Sequence, residues 1–311
     1  MAIDLKSSEN NIERCALEIR DDGIAYARIS RNKQNLNSVI LKEYGFYSCD
    51  DTFEQIANTL ITIAKKHKPE GIVCSWVLFP KYYHLLLTNV PNVPQEEYKD
   101  ALRWQIKDRV SYPIDDVALD IFLPDSFGKI DPPKLYVIAS QSSFLQKIAV
   151  LLKESNFNLQ TIDIKEFAIR NLITAIPNIT QPIGFLHATA HEYLFTIMQN
   201  NQLYFARHIS ITADANQPEY AFTKLNEEIQ KSLDYYTSEL KQELPKAFLL
   251  SPSFDINSQL FDTLTKHIQI PFSSLPLNNI IQIENQANLN TDLIKRCYIA
   301  IGGAMRQDEV K

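Results

Sequence analysis

Near the start of the chain, hydrophobic and polar positions alternate as they do in β-strands. Residues 15–30 alternate around a turn at Asp21-Asp22-Gly23 and predict a hairpin, and residues 39–48 predict a third strand. Apolar residues at helical spacing predict a helix within 51–68, and the short apolar run 71–79 predicts a buried strand. The chain therefore opens as strand–strand–strand–helix–strand.

Further elements follow until the segment PNITQP, residues 177–182, interrupts the pattern. Up to that break the sequence predicts a strand at 81–90, a helix at 95–110, two paired strands within 116–140, a helix at 142–156, a strand at 159–164 and a helix at 165–176. Beyond it the three-strand opening repeats within 184–210, followed by a long helix, a buried strand and a closing helix. Two halves that open alike predict an α/β fold with a duplicated ribonuclease-H-like core, which is the actin-like architecture.

The same pattern predicts the domain organisation. A polar leader covers 1–10, and lobe I covers 11–180 with an inserted subdomain at about 80–135. Lobe II covers 181–311 with a helical insertion at about 214–245.

Composition narrows the class of protein. A formal net charge of −6 argues against nucleic-acid binding, because a phosphate footprint needs clustered lysine and arginine. No run approaches the ~18 apolar residues of a membrane span, and the N-terminus is too polar for a secretory signal. The four cysteines lack CxxC spacing, so neither a disulfide framework nor a zinc site is expected. These features predict a cytoplasmic protein.

Glycine is scarce. The chain has 7 glycines, whereas average usage would give about 22. Glycine lets a backbone approach a phosphate closely and adopt positive φ. GxGxxG and GxxxxGK[ST] are both absent, so few places remain for a nucleotide cradle.

Four segments, in order along the chain, are similar to segments of one known family. They are a Pro–Glu-rich helix with a following Tyr-Pro and Asp (93–120), a strand-to-helix joint with Asp163 and Phe167 (162–168), a stretch of the long helix (228–236), and Ala-Ile-Gly-Gly-Ala-Met-Arg (300–306). Together they resemble the PilM/MshI family of type IV pilus assembly proteins. The third segment is typical of the MshI member, which serves the MSHA pilus.

The resemblance implies an actin-like fold at the cytosolic face of the inner membrane. It also implies docking to the short cytosolic tail of a bitopic pilus-assembly protein, PilN-like or MshJ-like. PilM proteins bind ATP through glycine-rich loops at three places, so the resemblance raises the question of a nucleotide site.

This chain departs from the family at all three loops, and we expect a degenerate nucleotide site. The departing positions are Glu18, Asp21, Asp22 and Gly23 in the first loop, His187, Ala188 and Thr189 in the second, and Ser251 and Ser253 in the third. Carboxylates repel phosphate, and larger side chains block close backbone approach. The expectation is a protein without enzymatic activity and without a cofactor. The alternative is a working ATPase that binds ATP and Mg²⁺ through side-chain donors such as Ser251, Ser253 and Thr189.

Two other sets of residues suggest metal chemistry. His187 and His191 are spaced for zinc on a helix, but the alternation around them predicts strand–turn–strand and hence a loop. The carboxylates Glu18, Asp21, Asp22, Asp120 and Asp163 could gather around Mg²⁺, although a nuclease would also need basic surface. The prediction is that no metal is bound.

A partner surface is predicted around the strand at 81–90 and the helix that follows it. Tyr82, Tyr83, Leu85 and Leu87 lie on a candidate edge strand that can accept an extended peptide. Trp104 lies about 160° from the apolar stripe of its helix, so it is either wedged under a neighbouring strand or exposed for docking.

These observations predict a non-catalytic actin-like scaffold of an MSHA-like type IV pilus platform, peripheral to the inner membrane through its partner. Assembly into a homo-oligomer is compatible with this interpretation. The alternatives are a PilM-type ATPase and the cytosolic domain of a type II secretion L protein. The L-protein family continues into a transmembrane helix, whereas this sequence ends in the polar residues 307–311.

Overall fold

The computed structural model describes residues 11–177, 179–189, 192–211, 218–252, 259–275, 277–284 and 290–307. The strands are β1 (Asn11–Arg20), β2 (Gly23–Asn32), β3 (Asn35–Tyr47), β4 (Val73–Leu78), β5 (Tyr83–Asn89), β6 (Val117–Phe122), β7 (Lys134–Gln141), β8 (Asn158–Ile164), β9 (Ile183–Ala188), β10 (Glu192–Gln199), β11 (Gln202–Ser210), β12 (Ala247–Leu250), β13 (Phe272–Ser274) and β14 (Gln282–Ile283). The helices are α1 (Phe53–His67), α2 (Tyr98–Gln105), α3 (Ser142–Glu154), α4 (Lys165–Thr174), α5 (Pro218–Ser238), α6 (Gln259–His267), α7 (Leu277–Ile280) and α8 (Thr291–Ala304).

The chain divides into two compact units. Unit 1 consists of Met1–Asn171 and Ile281–Lys311, and unit 2 consists of Leu172–Ile280. The sequence placed residues 281–311 in the second lobe, and the structure instead assigns them to unit 1. The physical reason is that α8 packs across β1, β2, β3 and β4.

The main sheet of unit 1 has the strand order β14-β3-β2-β1-β4-β8. β1, β2 and β3 form an antiparallel meander, whereas β4 and β8 add to it in parallel with β1. The α1 helix begins after Thr52, whose hydroxyl accepts a hydrogen bond from the amide of Gln55 and caps the helix. The predicted opening of three strands, a helix and a strand is confirmed.

Both faces of this sheet are covered. Side chains of β1 alternate, so that Cys15, Leu17 and Ile19 join a core with α1 and α3. Ala16 and Glu18 point to the opposite face, where α8 lies. A sheet with parallel strands is normally covered in this way.

A smaller antiparallel sheet lies within unit 1, in strand order β5-β7-β6. Its own core joins Leu102 and Ile106 at the α2 end to Val117, Leu135 and Val137. The predicted helix over 95–110 is shorter in the structure. The amide of Arg109 bonds the carbonyl of Ile106 three residues back, which makes this a tighter turn than an α-helix.

Unit 2 repeats the topology of the main sheet. Its strand order is β11-β10-β9-β12-β13, with β9, β10 and β11 antiparallel and β12 parallel to β9. The α5 helix packs on β11, and stacked aromatic rings such as Phe248 and Phe272 fill the core. Of the predicted insertion at 214–245, the described part contains α5, which ends at Ser238.

Candidate functional site

The carboxyl ends of three parallel strands, β1, β4 and β8, meet at one edge of the main sheet. Glu18 on β1 pairs with Val77 on β4, and Val77 pairs with Asp163 on β8. Two of the five predicted acidic residues therefore lie in register, two strands apart. Both are buried in the protein interior.

Glu18 is neutralised by a lysine. The Nζ of Lys165, the first residue of α4, lies 3.5 Å from Oε1 of Glu18, and both side chains are almost fully buried. The same ammonium lies 4.8 Å from the centroid of the Phe79 ring. Oε2 of Glu18 is buried without a hydrogen-bond partner in the described part of the chain. Burial, assisted by the negative charge of Glu18, raises the pKa of the neighbouring Cys297 thiol to about 12.

Asp163 has a cationic partner of its own. Its Oδ2 accepts a hydrogen bond of 2.9 Å from Arg306, and its Oδ1 accepts one from the amide of Ile164. Burial raises the pKa of Asp163, and the charge of Arg306 partly opposes that rise. Each of the two buried carboxylates therefore faces a basic side chain of unit 1.

The remaining carboxylates of the predicted acidic set lie elsewhere. Asp120 is on β6 of the small sheet and forms an ion pair with Lys99. Asp21 and Asp22 form the turn between β1 and β2. Across the described residues no group of three or more His, Cys, Asp and Glu side chains is placed to hold a metal ion.

At the turn between β1 and β2, where the first glycine-rich loop of the family would lie, two arginines bind Asp22. Nε and NH2 of Arg20 donate to the two carboxylate oxygens of Asp22, at 2.8 Å and 3.1 Å. Arg296 from α8 donates to the same carboxylate at 3.0 Å, and its guanidinium lies 3.5 Å from the centroid of the Phe46 ring. Both of these arginine side chains therefore already bind Asp22.

Gly23 is the one glycine of this loop, and a steric reason explains why a glycine is needed there. Its φ is +146°, and a Cβ built there would lie 2.3 Å from the carbonyl oxygen of Tyr47. The glycine is required by the close packing of β2 against β3. Its conformation is therefore explained without a phosphate ligand. That this turn does not bind phosphate stays a prediction, which the carboxylates of Asp21 and Asp22 support because they would repel a phosphate.

The other two loops lie in unit 2. His187 is buried on β9, and the hydroxyl of Thr189 donates to the carbonyl of Glu192, which closes the turn toward β10. Oγ of Ser251 accepts a hydrogen bond from the amide of Ala188, at 3.4 Å. The two strands predicted on either side of this segment are confirmed as β9 and β10, but the prediction that His187 lies in a loop is wrong, because His187 is a buried residue of β9. His191 and Ser253 lie outside the described residues.

The predicted edge strand is observed as β5, except that Tyr82 lies in the 3-10 turn before it. β5 is at one side of the small sheet, and no strand of the described chain pairs with its other side. The amide of Val90, the residue after β5, donates a hydrogen bond to the carbonyl of Pro133, the residue before β7, so the backbone groups of Val90 point toward β7. Because backbone groups alternate in direction along a strand, those of Leu85 and Leu87 point away from β7. NH1 of Arg109 reaches the outward carbonyl of Leu87 at 3.5 Å.

The aromatic candidates have different environments. Tyr83 is buried and donates a hydrogen bond of 2.6 Å to Glu166 at the start of α4. Tyr82 stacks on Phe144 with ring centroids 4.2 Å apart. Trp104 is 66% exposed on α2, so of the two predicted alternatives the exposed one is observed.

Sequence reasoning missed Lys165, Arg20, Arg109 and Arg296. Lys165 lies within the strand-to-helix joint, two residues after Asp163, but its partner Glu18 lies on a strand more than a hundred residues earlier. No local spacing signals such a pair. The exposed arginines carry no pattern that separates them from ordinary surface charges.

Comparison with known proteins decides the fold. No protein-family model and no curated protein sequence matches this chain. A protein of a PilM–PilN type IV pilus biogenesis complex is similar in structure with a TM-score of 0.72 at 14% identity, over 94% of this chain and 98% of that chain. A Bacteroides thetaiotaomicron protein, described as having an actin-like ATPase fold and unknown function, has a TM-score of 0.51 at 10% identity, over 94% and 99% of the two chains. The chain has the actin-like fold.

The predicted fold class is thus confirmed. In this actin-like chain the two sheets share one topology, a three-stranded meander followed by a parallel crossover strand. At the identities observed, the likeness establishes the fold and leaves activity and partners to be argued from this chain's own residues. Among the described residues, no helix combines the length and apolar character needed to cross a bilayer.

Proposed function

We propose that this protein is a docking component of a type IV pilus assembly platform that binds the cytosolic tail of a PilN-like inner-membrane protein. The observation that carries the proposal is the similarity over nearly the full length of both chains to a protein of a PilM–PilN complex. The MSHA pilus, with an MshJ-like partner, is the system that the MshI-like segment at 228–236 favours.

The open side of β5 is the proposed docking site. Strand addition needs outward N–H and C=O groups, which Leu85 and Leu87 supply. Trp104 lies on α2, whose Gln105 donates a hydrogen bond to Thr88 of β5. It offers an exposed aromatic ring, the type of side chain that is enriched at the energetic centres of interfaces. A membrane protein's tail bound here would hold the protein peripherally at the inner membrane.

We further propose that the protein does not hydrolyse ATP. Two observations support this part. At the turn between β1 and β2 the carboxylates of Asp21 and Asp22 would repel a phosphate, and Asp22 already binds Arg20 and Arg296. The buried Glu18 carboxylate is already paired with Lys165, so it would have to give up that partner to hold Mg²⁺.

Calorimetric titration with a synthetic peptide of the PilN-like tail tests the docking site. Leu87→Pro removes an outward amide of β5, and we expect it to weaken peptide binding by about tenfold or more. The matched control is Leu119→Pro on β6. The carbonyl of Val117 accepts a hydrogen bond from Arg103 and therefore faces away from β7. Leu119 is two residues further along β6, so its backbone groups face outward as well. Equal affinities of the two variants would contradict docking at β5.

Thermal unfolding with ATP or ADP and Mg²⁺ tests the second part. A ligand that binds the native state raises the midpoint of unfolding. We expect no rise with either nucleotide, and a rise with the tail peptide as the positive control. A nucleotide-dependent rise, or release of phosphate by the purified protein, would establish the ATPase alternative instead.

A further inference from the structure

An arginine contacts an outward backbone carbonyl on each outer strand of the small sheet of unit 1. Among the described strands of this sheet, β5 and β6 are the outer ones. At β6, NH1 of Arg103 lies 2.7 Å from the carbonyl oxygen of Val117 and 3.4 Å from that of Ile114. At β5, NH1 of Arg109 lies 3.5 Å from the carbonyl oxygen of Leu87. Charged side chains on strand edges protect them from unwanted pairing.

The two arginines hold their carbonyls unequally. Hydrogen bonds from an N–H to an oxygen are usually about 2.7 to 3.2 Å long, so the contact of Arg103 with Val117 is short and that of Arg109 with Leu87 is at the limit. Arg103 is half-buried and has a second carbonyl partner, whereas Arg109 is exposed. An added strand therefore displaces Arg109 from β5 more easily than it displaces Arg103 from β6.

The α2 helix crosses the small sheet from β6 to β5. Near its start Lys99 pairs with Asp120 of β6, and at its end Gln105 donates a hydrogen bond to Thr88 of β5. Lys99 and Gln105 are six positions apart, which is about 9 Å along a helix. That length is close to the two strand spacings of about 4.8 Å each that separate β6 from β5. The carboxylates at the β6 end of α2 are Glu96, Glu97 and Asp100.

At the β5 end, the guanidinium of Arg109 is not neutralised. In the part of the chain that the structure describes, Arg109 forms no ion pair with a carboxylate, and this includes its exposed neighbour Asp108. Burial, followed by the positive charge of Arg109, lowers the pKa of His84 on β5. The charge of Arg109 therefore acts along the same strand to which its NH1 atom is bound.

We propose that Arg109 covers the edge of β5 in the free protein and binds a carboxylate of the tail when a tail strand is added. Strand addition gives the carbonyl of Leu87 to an N–H of the tail, so the guanidinium is released beside the new strand. A guanidinium has only donors, and a carboxylate accepts two of them side by side. This inference rests on the proposed docking at β5, and it specifies a tail with an aspartate or glutamate close to its contact with Leu87.

Fluorescence anisotropy with the full chain tests the inference. The probes are labelled peptides of the PilN-like tail in which each position in turn carries glutamate, glutamine or lysine. We expect a position at which the glutamate peptide binds about fivefold more tightly than the lysine peptide. The glutamine peptide should lie between them, and the difference should shrink as salt is added.

Variants of two exposed cations in one turn assign this preference to a residue. Arg109→Gln should abolish it, and Arg109→Glu should reverse it. Lys107→Gln is the matched control, because Lys107 is an exposed cation of the same turn and contacts no backbone group of β5 among the described residues. This control should keep the preference for glutamate.

The outcomes separate this inference from the docking on which it rests. If no peptide binds, or if Leu87→Pro binds the unaltered tail peptide as tightly as the original chain does, docking at β5 is wrong and the role of Arg109 with it. If Leu87→Pro weakens binding but no position prefers glutamate over lysine, the role of Arg109 alone is wrong. A preference that Arg109→Gln retains would also overturn it.

Discussion

Lys165 and Glu18 form an ion pair that is isolated from solvent, and this sets the cost of altering either residue. Removing one partner of a buried pair leaves an uncompensated charge in a low-dielectric interior, whereas replacing both avoids that penalty. Oε2 of Glu18, buried without a hydrogen bond, adds to the cost of keeping the carboxylate charged.

We expect Lys165→Met to lower the free energy of unfolding by about 3–5 kcal/mol. The double variant Glu18→Gln/Lys165→Met should recover most of that loss, because no buried charge remains. Urea denaturation of the four chains of this double-mutant cycle provides the measurement. As a control, Lys295→Met breaks an exposed pair with Asp292 and should cost less than about 1 kcal/mol. Independent, additive losses at Glu18 and Lys165 would argue against the pair.

His67 at the end of α1 is a second buried ionisable group. Its Nδ1 lies 2.7 Å from Glu43, its Nε2 lies 2.6 Å from the hydroxyl of Tyr47, and its ring stacks on Tyr26. Burial lowers the pKa of His67, although the Glu43 carboxylate acts in the opposite direction. A neutral ring that donates to Glu43 and accepts from Tyr47 satisfies all three groups.

This environment predicts a loss of stability in mild acid. Because the pKa of His67 is lower in the folded chain, the unfolded chain binds the proton first. The contribution of the neutral His67 to the free energy of unfolding is complete above the unfolded pKa of about 6.5. It falls as the pH drops below that value, by at most about 1.4 kcal/mol per pH unit.

Urea denaturation at about pH 7.5 and pH 5.5, on either side of the unfolded pKa, measures the effect. We expect His67→Gln to reduce the difference between the two pH values. His267→Gln, at an exposed position at the end of α6, should leave it unchanged. The same pH dependence in all three chains would show that other groups are responsible.

The α8 helix approaches the main sheet very closely at Gly303. A Cβ built there would lie 2.5 Å from Cγ2 of Val77 and 3.1 Å from Cβ of Ala16. Val77 is β-branched and sits within a central strand, so it has little freedom to move away.

Gly303→Ala is therefore expected to destabilise the protein by about 1–3 kcal/mol, against the usual gain of up to about 1 kcal/mol for this change within a helix. In a Val77→Ala background the same substitution should cost clearly less, because the methyl groups that it meets are gone. Thermal unfolding of the three variants measures both effects. A loss that is the same in both backgrounds would contradict the close approach.

Local patterns predicted the elements whose packing partners are near in sequence. The alternation in β1 and β2 and the apolar spacing of α1 were sufficient for these elements. β14 was missed because it has two residues and pairs with β3, from which it is separated by more than two hundred residues of chain. Such a strand has no periodicity of its own.

The candidate site was predictable only in part. Sequence resemblance singled out Glu18 and Asp163, and the structure places both at one sheet edge. The partners Lys165 and Arg306 were not predicted, because strand order decides which charges meet. The helical pattern placed Trp104 on the face opposite Leu102. It did not predict whether the side chain is exposed, because that depends on which other elements pack on this face.

Across the chain, the discontinuity of unit 1 has consequences for stability. Residues 281–311 return to unit 1 after the whole of unit 2, and α8 covers one face of β1, β2, β3 and β4. Without that helix the side chains on this face of the sheet, including Ala16 and Glu18, would lose their covering layer.

Deletion of residues 281–311 should therefore affect the two units unequally. Hydrogen–deuterium exchange of the shortened chain is expected to show lost protection in β1 and β4. Protection in β9, β10 and β12 should persist, because these strands belong to unit 2, which consists of one continuous stretch. Unchanged exchange in β1 would mean that α8 adds little to unit 1.

The late return of α8 also sets an order for synthesis on the ribosome. A growing chain presents all of Leu172–Ile280 before Thr291–Ala304 has been translated, so the later-starting unit is complete first. Until then, the face of β1 to β4 that α8 covers in the complete chain is exposed. Exposed hydrophobic surface of this kind is what chaperones bind on nascent chains.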